Sequence, residues 1–235
     1  MVRRRPRCRL LLHMPEEAER RGALVNPAPS CPKANSPMSG ATKLNALLLE
    51  QGAPQSHLDR LSTLIALAEN DSRFLAMFLV GSYAKGLGDR VSDLDLVVFA
   101  ATGQGEAVLQ AIHNALDRAS VLNQFSGQHA AGGSFWKYVF LDFSSAEIHV
   151  FEPESTFRLK RPWLAVWDPR DLQRLFVTAG EPIRHEDFSA YEFGDQGLLW
   201  ELFDCIRWLS RGRNELAKHH IKKLAAEITK QETAR

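Results

Sequence analysis

From Ser39 onward, apolar and polar positions follow two periods. Phe74-Leu75-Ala76-Met77-Phe78-Leu79-Val80 is an unbroken apolar run closed by Gly81, which predicts a buried strand. A second run, Leu96-Val97-Val98-Phe99-Ala100, is headed by Asp93-Leu94-Asp95 and predicts a strand over 93–100. Ser134 to Asp142 and Ala146 to Phe151 predict a hairpin turning at Phe143-Ser144-Ser145, with Pro153 ending it because proline cannot donate into a ladder. Val121-Leu122 begins an irregular strand, and Gln128 to Gly133 reads as a loop. Helical spacing covers 44–51, a segment capped by Ser56 with Leu58, Leu61, Leu64, Ile65 and Ala68 on one face, and 106–119. After Pro162 the pattern turns helical, with Asp168 capping a short helix through Phe176. A helical pair, 194–210 and 213–230, breaks at Ser210-Arg211-Gly212. On its first helix Leu198, Leu199, Leu202, Ile206 and Leu209 form the apolar face. The expected class is α+β, a small mixed β-sheet flanked by helices and followed by a C-terminal helical domain.

Candidate chemistry sits where the first two strands meet their turns. Small residues Gly81-Ser82 open a turn whose backbone N–H groups suit phosphate oxygens. After ten intervening residues comes Asp93-Leu94-Asp95. Side chains alternate along a strand, so Asp93 and Asp95 point the same way. Two carboxylates beside a phosphate turn suit Mg²⁺ bound to a nucleoside triphosphate.

The stretch from Gly81-Ser82 through Ser92-Asp93-Leu94-Asp95 resembles the nucleotidyltransferase superfamily of DNA polymerase beta. Within it, Gly81-Ser82-x-Ala84-x-Gly86 and Ser92 resemble the branch of aminoglycoside and lincosamide nucleotidyltransferases and minimal nucleotidyltransferases. Trp208 to Ala217 resembles the C-terminal helical domain of antibiotic nucleotidyltransferases. The likeness implies a catalytic domain over 38–155 and a helical substrate-binding domain over 156–235, preceded by a disordered or over-called extension over 1–37. It also implies Mg²⁺-dependent transfer of a nucleotide monophosphate group, with ATP the expected donor. The acceptor is a hydroxyl of a small molecule such as an aminoglycoside or lincosamide, so antibiotic resistance is the expected role. An antitoxin that modifies a partner toxin protein is the alternative.

The resemblance further implies a third acid on a neighbouring strand. Glu147 fits, being acidic within an apolar strand, where a charge is costly unless paired or on metal. It would complete the metal site or help activate the nucleophile. Asp142 is the rival, although an Asp before serines favours a turn cap. His149 shares a face with Glu147, as a contact to substrate or metal or as a structural histidine. The metal set is therefore Asp93, Asp95 and Glu147, and the nucleotide set Gly81, Ser82, Lys85 and Ser92. Lys85 reads equally as a phosphate contact or an exposed helix lysine, and Ser92 as a phosphate contact or a strand cap. Glu201 and Asp204, three apart on a helix, are candidates to activate the acceptor hydroxyl.

Composition narrows the partners. The formal net charge is +1, but residues 1–37 hold seven Arg and one Lys against three Glu, so 38–235 carry −4. That is a poor footprint for nucleic acid and suits a cationic acceptor. Residues 1–37 also hold six of the 11 prolines and read as disordered, or as an extension preceding a natural start at Met38. Ending at Arg235, the chain is expected to lack a last helix that relatives use to close the cleft. Three cysteines make no framework and fit a reducing, cytoplasmic setting. No run is long and apolar enough for a membrane, and none of the histidines and cysteines has zinc spacing.

Overall fold

Alternation along the strands decides the architecture. A computed structural model of the chain describes residues 40–129, 132–173, 177–178 and 189–233. The readings made for 1–37, and for the Asp168 helix beyond Gln173, lie outside those residues. Helices α1 (Gly40–Glu50) and α2 (Gln55–Asn70) lead into strand β1 (Phe74–Leu79) and the single turn α3 (Gly81–Ala84). Strand β2 (Leu94–Ala100), helix α4 (Gly105–Ala115) and strands β3 (Val121–Gln128), β4 (Ser134–Phe140) and β5 (Ser145–Phe151) follow. Then come β6 (Leu159–Lys160), β7 (Leu164–Trp167), β8 (Val177–Thr178) and the helices α5 (Gly194–Ser210) and α6 (Asn214–Thr233).

Six strands form one sheet in the order β3-β4-β5-β2-β1-β7, and β6 pairs with β8. Strands β2 and β5 run parallel, and the other neighbours in the six-stranded sheet are antiparallel, so the sheet is mixed. One set of alternating residues (Leu94, Leu96 and Val98 on β2, Tyr138 on β4, Ile148 on β5) packs with Leu61, Leu64 and Ile112 of α2 and α4. The other set faces the opposite layer. There Phe78, Val97, Phe99 and Phe151 pack with Phe157 and Trp163, and Phe125, Phe135 and Val139 pack with Trp200 and Phe203 of α5.

Several expectations are corrected. Helix α4 stops at Ala115 rather than 119, because Leu116 is extended and the Asp117 carboxylate accepts from Ala119 N at 3.0 Å to start a 3-10 turn. Helix α2 starts at Gln55, with Pro54 at its N-cap, so Ser56 lies inside the first turn instead of capping it. Strand β3 runs its full eight residues because β4 supplies its ladder, even though its composition is polar. The stretch after Pro162 holds a strand, β7, hydrogen-bonded to β1. On α5 the exposed face is the aliphatic one: Leu199, Leu202, Ile206 and Leu209 are out, while Trp200, Phe203, Arg207 and Trp208 are in. Aromatic side chains bury the larger apolar area, and Arg207 finds two half-buried acids on that side.

Beneath the turn that follows β1, His57 is fully buried, with Nδ1 3.5 Å from the Tyr83 hydroxyl. Burial, reinforced by Arg60, pushes its pKa down to about 4. The folded state therefore holds His57 neutral, and its contribution is complete above the unfolded value of about 6.5 and is lost as pH falls toward about 4. Between about pH 7 and about pH 5 this group alone removes about 2 kcal/mol of stability. Urea unfolding at both pH values checks this. The loss shrinks in His57→Gln, and an unchanged loss rules His57 out as its source.

Candidate active site

The second face of the sheet becomes charged at one end. The parallel register of β2 and β5 sets Asp95 opposite Glu147, and the antiparallel register of β4 and β5 sets Lys137 opposite Glu147. Lys137, Glu147 and Asp95 thus make one row across three strands, in line with the apolar positions that continue the same face. Asp93, one residue before β2, joins them. Asp93, Asp95 and Glu147 each offer an oxygen within 4.8 Å of the others, and all three are half-buried.

Gly81 places the turn after β1 against this row. It takes φ +67°, and a Cβ there would overlap the Asp95 carboxylate. Glycine supplies both the left-handed backbone and the space. Val80 N donates to Asp95 O at 2.9 Å, which fixes the turn to the strand that bears the acid. Ser82 lies in α3 beside Gly81, and Lys85 stands exposed at the end of that turn. Ser92 is buried instead. Its Oγ donates to Asp89 Oδ1 at 2.9 Å and accepts from Asp89 N at 3.0 Å and Arg211 Nη2 at 2.9 Å. Arg211 also forks onto the Asp89 carboxylate at 2.7 and 2.8 Å, a bidentate bond that ties the end of α5 to the loop before Asp93.

Each acid has a different neighbourhood. Burial raises Glu147, but Lys137 at 3.0 Å and His149 Nε2 at 3.2 Å outweigh it and hold the carboxyl well below its ordinary range. Both contacts fall on Oε1. Asp95 is pushed well above the carboxylate range by burial and then by Asp93 and Glu147. Burial would lower Lys137, yet Glu147 first and then Asp204 and Asp93 leave it raised. His129 donates to or accepts from His149 across 2.8 Å, and burial with His149 lowers His129 to about 4.

From the helical side, Arg207 of α5 pairs with both Asp93 and Asp204 and donates to Ser145 Oγ at 3.1 Å. Its guanidinium lies 5.1 Å from the Trp200 ring centre and 5.4 Å from that of Phe203. Asp204 therefore reaches the acidic row through Arg207. Glu201 turns the other way, accepting from Tyr191 N at 2.8 Å and meeting His220 Nε2 at 2.9 Å. Asp142 stays in the β4–β5 turn, accepting from Ser144 N at 3.0 Å, and lies 3.7 Å from Arg60.

The structure brings together Gly81, Asp93, Asp95 and Glu147, with Ser82 next to Gly81 in α3. It sets Lys85 at the rim and Ser92 inside the loop. Sequence reasoning passed over Lys137 and Arg207. The available signals were a lysine within an apolar strand and an arginine between tryptophans on a helix.

Residues 66–138, which hold the Gly81 turn and both aspartates, match the nucleotidyltransferase domain family. Among solved structures it is similar to a Cid1 poly(U) polymerase bound to MgGTP, at 17% identity and a TM-score of 0.33, over 47% of this chain and 37% of that one. It is also similar to a GLD-2/RNP-8 complex, at 17% identity and a TM-score of 0.29, over 47% of this chain and 42% of that one. A CCA-adding enzyme in apo form I gives 14% identity and a TM-score of 0.32, over 46% and 23%. The chain thus spans less than half the length of each. No curated protein matches it. None of the described helices is long and apolar enough to cross a membrane.

Three carboxylates converging within 4.8 Å fit a hard divalent cation, which prefers oxygen ligands, and Mg²⁺ commonly shares one or two carboxylates with substrate phosphates. Glu147 keeps Oε1 on Lys137 and His149, so its other oxygen is the one suited to metal.

Proposed function

We propose that this chain is a Mg²⁺-dependent nucleotidyltransferase that moves a nucleotide monophosphate from ATP to a hydroxyl of a small molecule, of the aminoglycoside or lincosamide kind, in the cytoplasm. The carrying observation is the acidic row of Asp93, Asp95 and Glu147 under the Gly81 turn. These three residues would hold Mg²⁺, which supplies Lewis-acid stabilisation of charge on the phosphates. The acceptor oxygen bonds to the α-phosphorus, the bond to the β-phosphate oxygen breaks, and pyrophosphate leaves. Gly81 and Ser82 lie against the triphosphate, with Lys85 at its outer end. Lys137 and His149 hold Glu147 as an anion, which suits a ligand better than a base. Asp204 stands on the helical side, where the acceptor enters, and burial raises its carboxyl toward proton acceptance. The −4 charge of 38–235 supports a cationic acceptor over a nucleic acid.

A second reading, transfer to a partner protein, draws on the exposed stripe Leu199, Leu202, Ile206 and Leu209 of α5. Mass spectrometry after incubation with Mg²⁺, the four NTPs and a panel of aminoglycosides and lincosamides separates the two. The expected result is a nucleotide monophosphate adduct on one compound. Adduct on a co-purifying protein alone sinks the small-molecule reading and leaves the second.

A further inference from the structure

Asp93 differs from its two companions in where its counter-charge comes from. Glu147 is neutralised from within the sheet by Lys137. Asp93 is neutralised by Arg207, which belongs to α5 and divides its guanidinium between Asp93, Asp204 and Ser145. The Arg207 side chain is only 5% exposed, less than the 17% of Asp93. It is held by four contacts that do not involve the acidic row: Asp204, Ser145 and the rings of Trp200 and Phe203. Arg207 therefore remains beside Asp93 whatever else binds there. A cation entering the row must share Asp93 with a fixed guanidinium, and the row of three acids faces two cations, half-buried Lys137 and buried Arg207. Phosphate oxygens brought by a nucleotide restore the negative charge that these two remove.

We propose that Arg207 is a positioning residue that orients Asp93 and weakens the affinity of the carboxylate row for a free divalent cation, so that the ion is held tightly only together with a triphosphate. This rests on the metal reading of Asp93, Asp95 and Glu147. It makes the helical pair a determinant of metal occupancy, through one side chain on α5.

The test is Mn²⁺ binding to the full chain, read from the paramagnetic resonance of free Mn²⁺, with and without a non-hydrolysable ATP analogue. Without nucleotide, Arg207→Gln binds Mn²⁺ about tenfold tighter than wild type, within the usual range of coupling between sites. With the analogue present, wild type gains about tenfold or more and the difference narrows. Arg207→Gln leaves two acids unpaired, so circular dichroism accompanies it. Arg207→Lys carries the test if that variant does not fold, since one ammonium cannot fork across two acids, and it binds about threefold tighter. Variants that bind Mn²⁺ no tighter than wild type overturn the role of Arg207 and leave the metal site standing. A wild type that binds no Mn²⁺ even with nucleotide, as in Asp95→Asn, overturns the metal reading itself.

Discussion

Asp95→Asn lowers nucleotidyl transfer by about a thousandfold or more while leaving the metal-free protein at least as stable as wild type. Outer-sphere partners of a metal are worth 10- to 100-fold, so a direct ligand at the centre of the row is expected to exceed that. The stability half of the result follows from charge. Burial, then Asp93 and Glu147, push the Asp95 carboxyl well above its ordinary range, so the ionised form is disfavoured in the fold. A carboxyl with a raised folded pKa costs stability when it is charged at neutral pH. The neutral amide removes that repulsion at nearly the same volume. Steady-state turnover and thermal melting in chelator measure the two halves on the same samples. Turnover within about tenfold of wild type contradicts a ligand role, because it would leave less than the effect of an outer-sphere residue. A large loss of melting temperature would instead make Asp95 a structural residue.

Gly81→Ala is the second large effect, and Gly86→Ala is its control. Both glycines hold a left-handed backbone, at φ +67° and +70°. A Cβ at Gly86 meets nothing within 4 Å, whereas one at Gly81 overlaps the Asp95 side chain. The left-handed conformation costs about 1–2 kcal/mol in either variant. Only Gly81→Ala must also displace Asp95 or the turn above it. Misplacing a reacting group by about 1 Å costs about 100-fold in rate. The expected pattern is two variants with comparable backbone strain, Gly86→Ala keeping most of its turnover and Gly81→Ala losing about 100-fold. Equal losses in both would mean that the turn does not position Asp95.

The acidic row was legible in the sequence because its members break apolar strands. Asp93 and Asp95 head one run, Glu147 interrupts another, and the ten-residue spacing from Gly81-Ser82 ties the turn to them. Unbroken apolar runs carried β1 and β2, and the two segments flanking the Phe143-Ser144-Ser145 turn carried β4 and β5, almost to their ends. What stayed hidden depends on register and on the rotation of helices, which no local window holds. Lys137 faces Glu147 only because β4 and β5 pair with that register. Arg207 reaches Asp93 only because α5 turns its aromatic face inward, and two competing apolar stripes on that helix left the choice open to tertiary packing. Strand β7 was missed for the same reason: four residues after Pro162 become a strand because β1 offers a free edge. Ser92 reads alike as phosphate contact or cap until Arg211 arrives from 119 residues away and occupies its hydroxyl.

Anomalous diffraction from crystals of the full chain grown with Mn²⁺ and a non-hydrolysable ATP analogue tests the metal site most directly. The account predicts a manganese peak coordinated by Asp93 and Asp95, with Glu147 beside it and the triphosphate lying against the Gly81 turn. A nucleotide bound elsewhere, or bound at the turn with no metal on these aspartates, contradicts it.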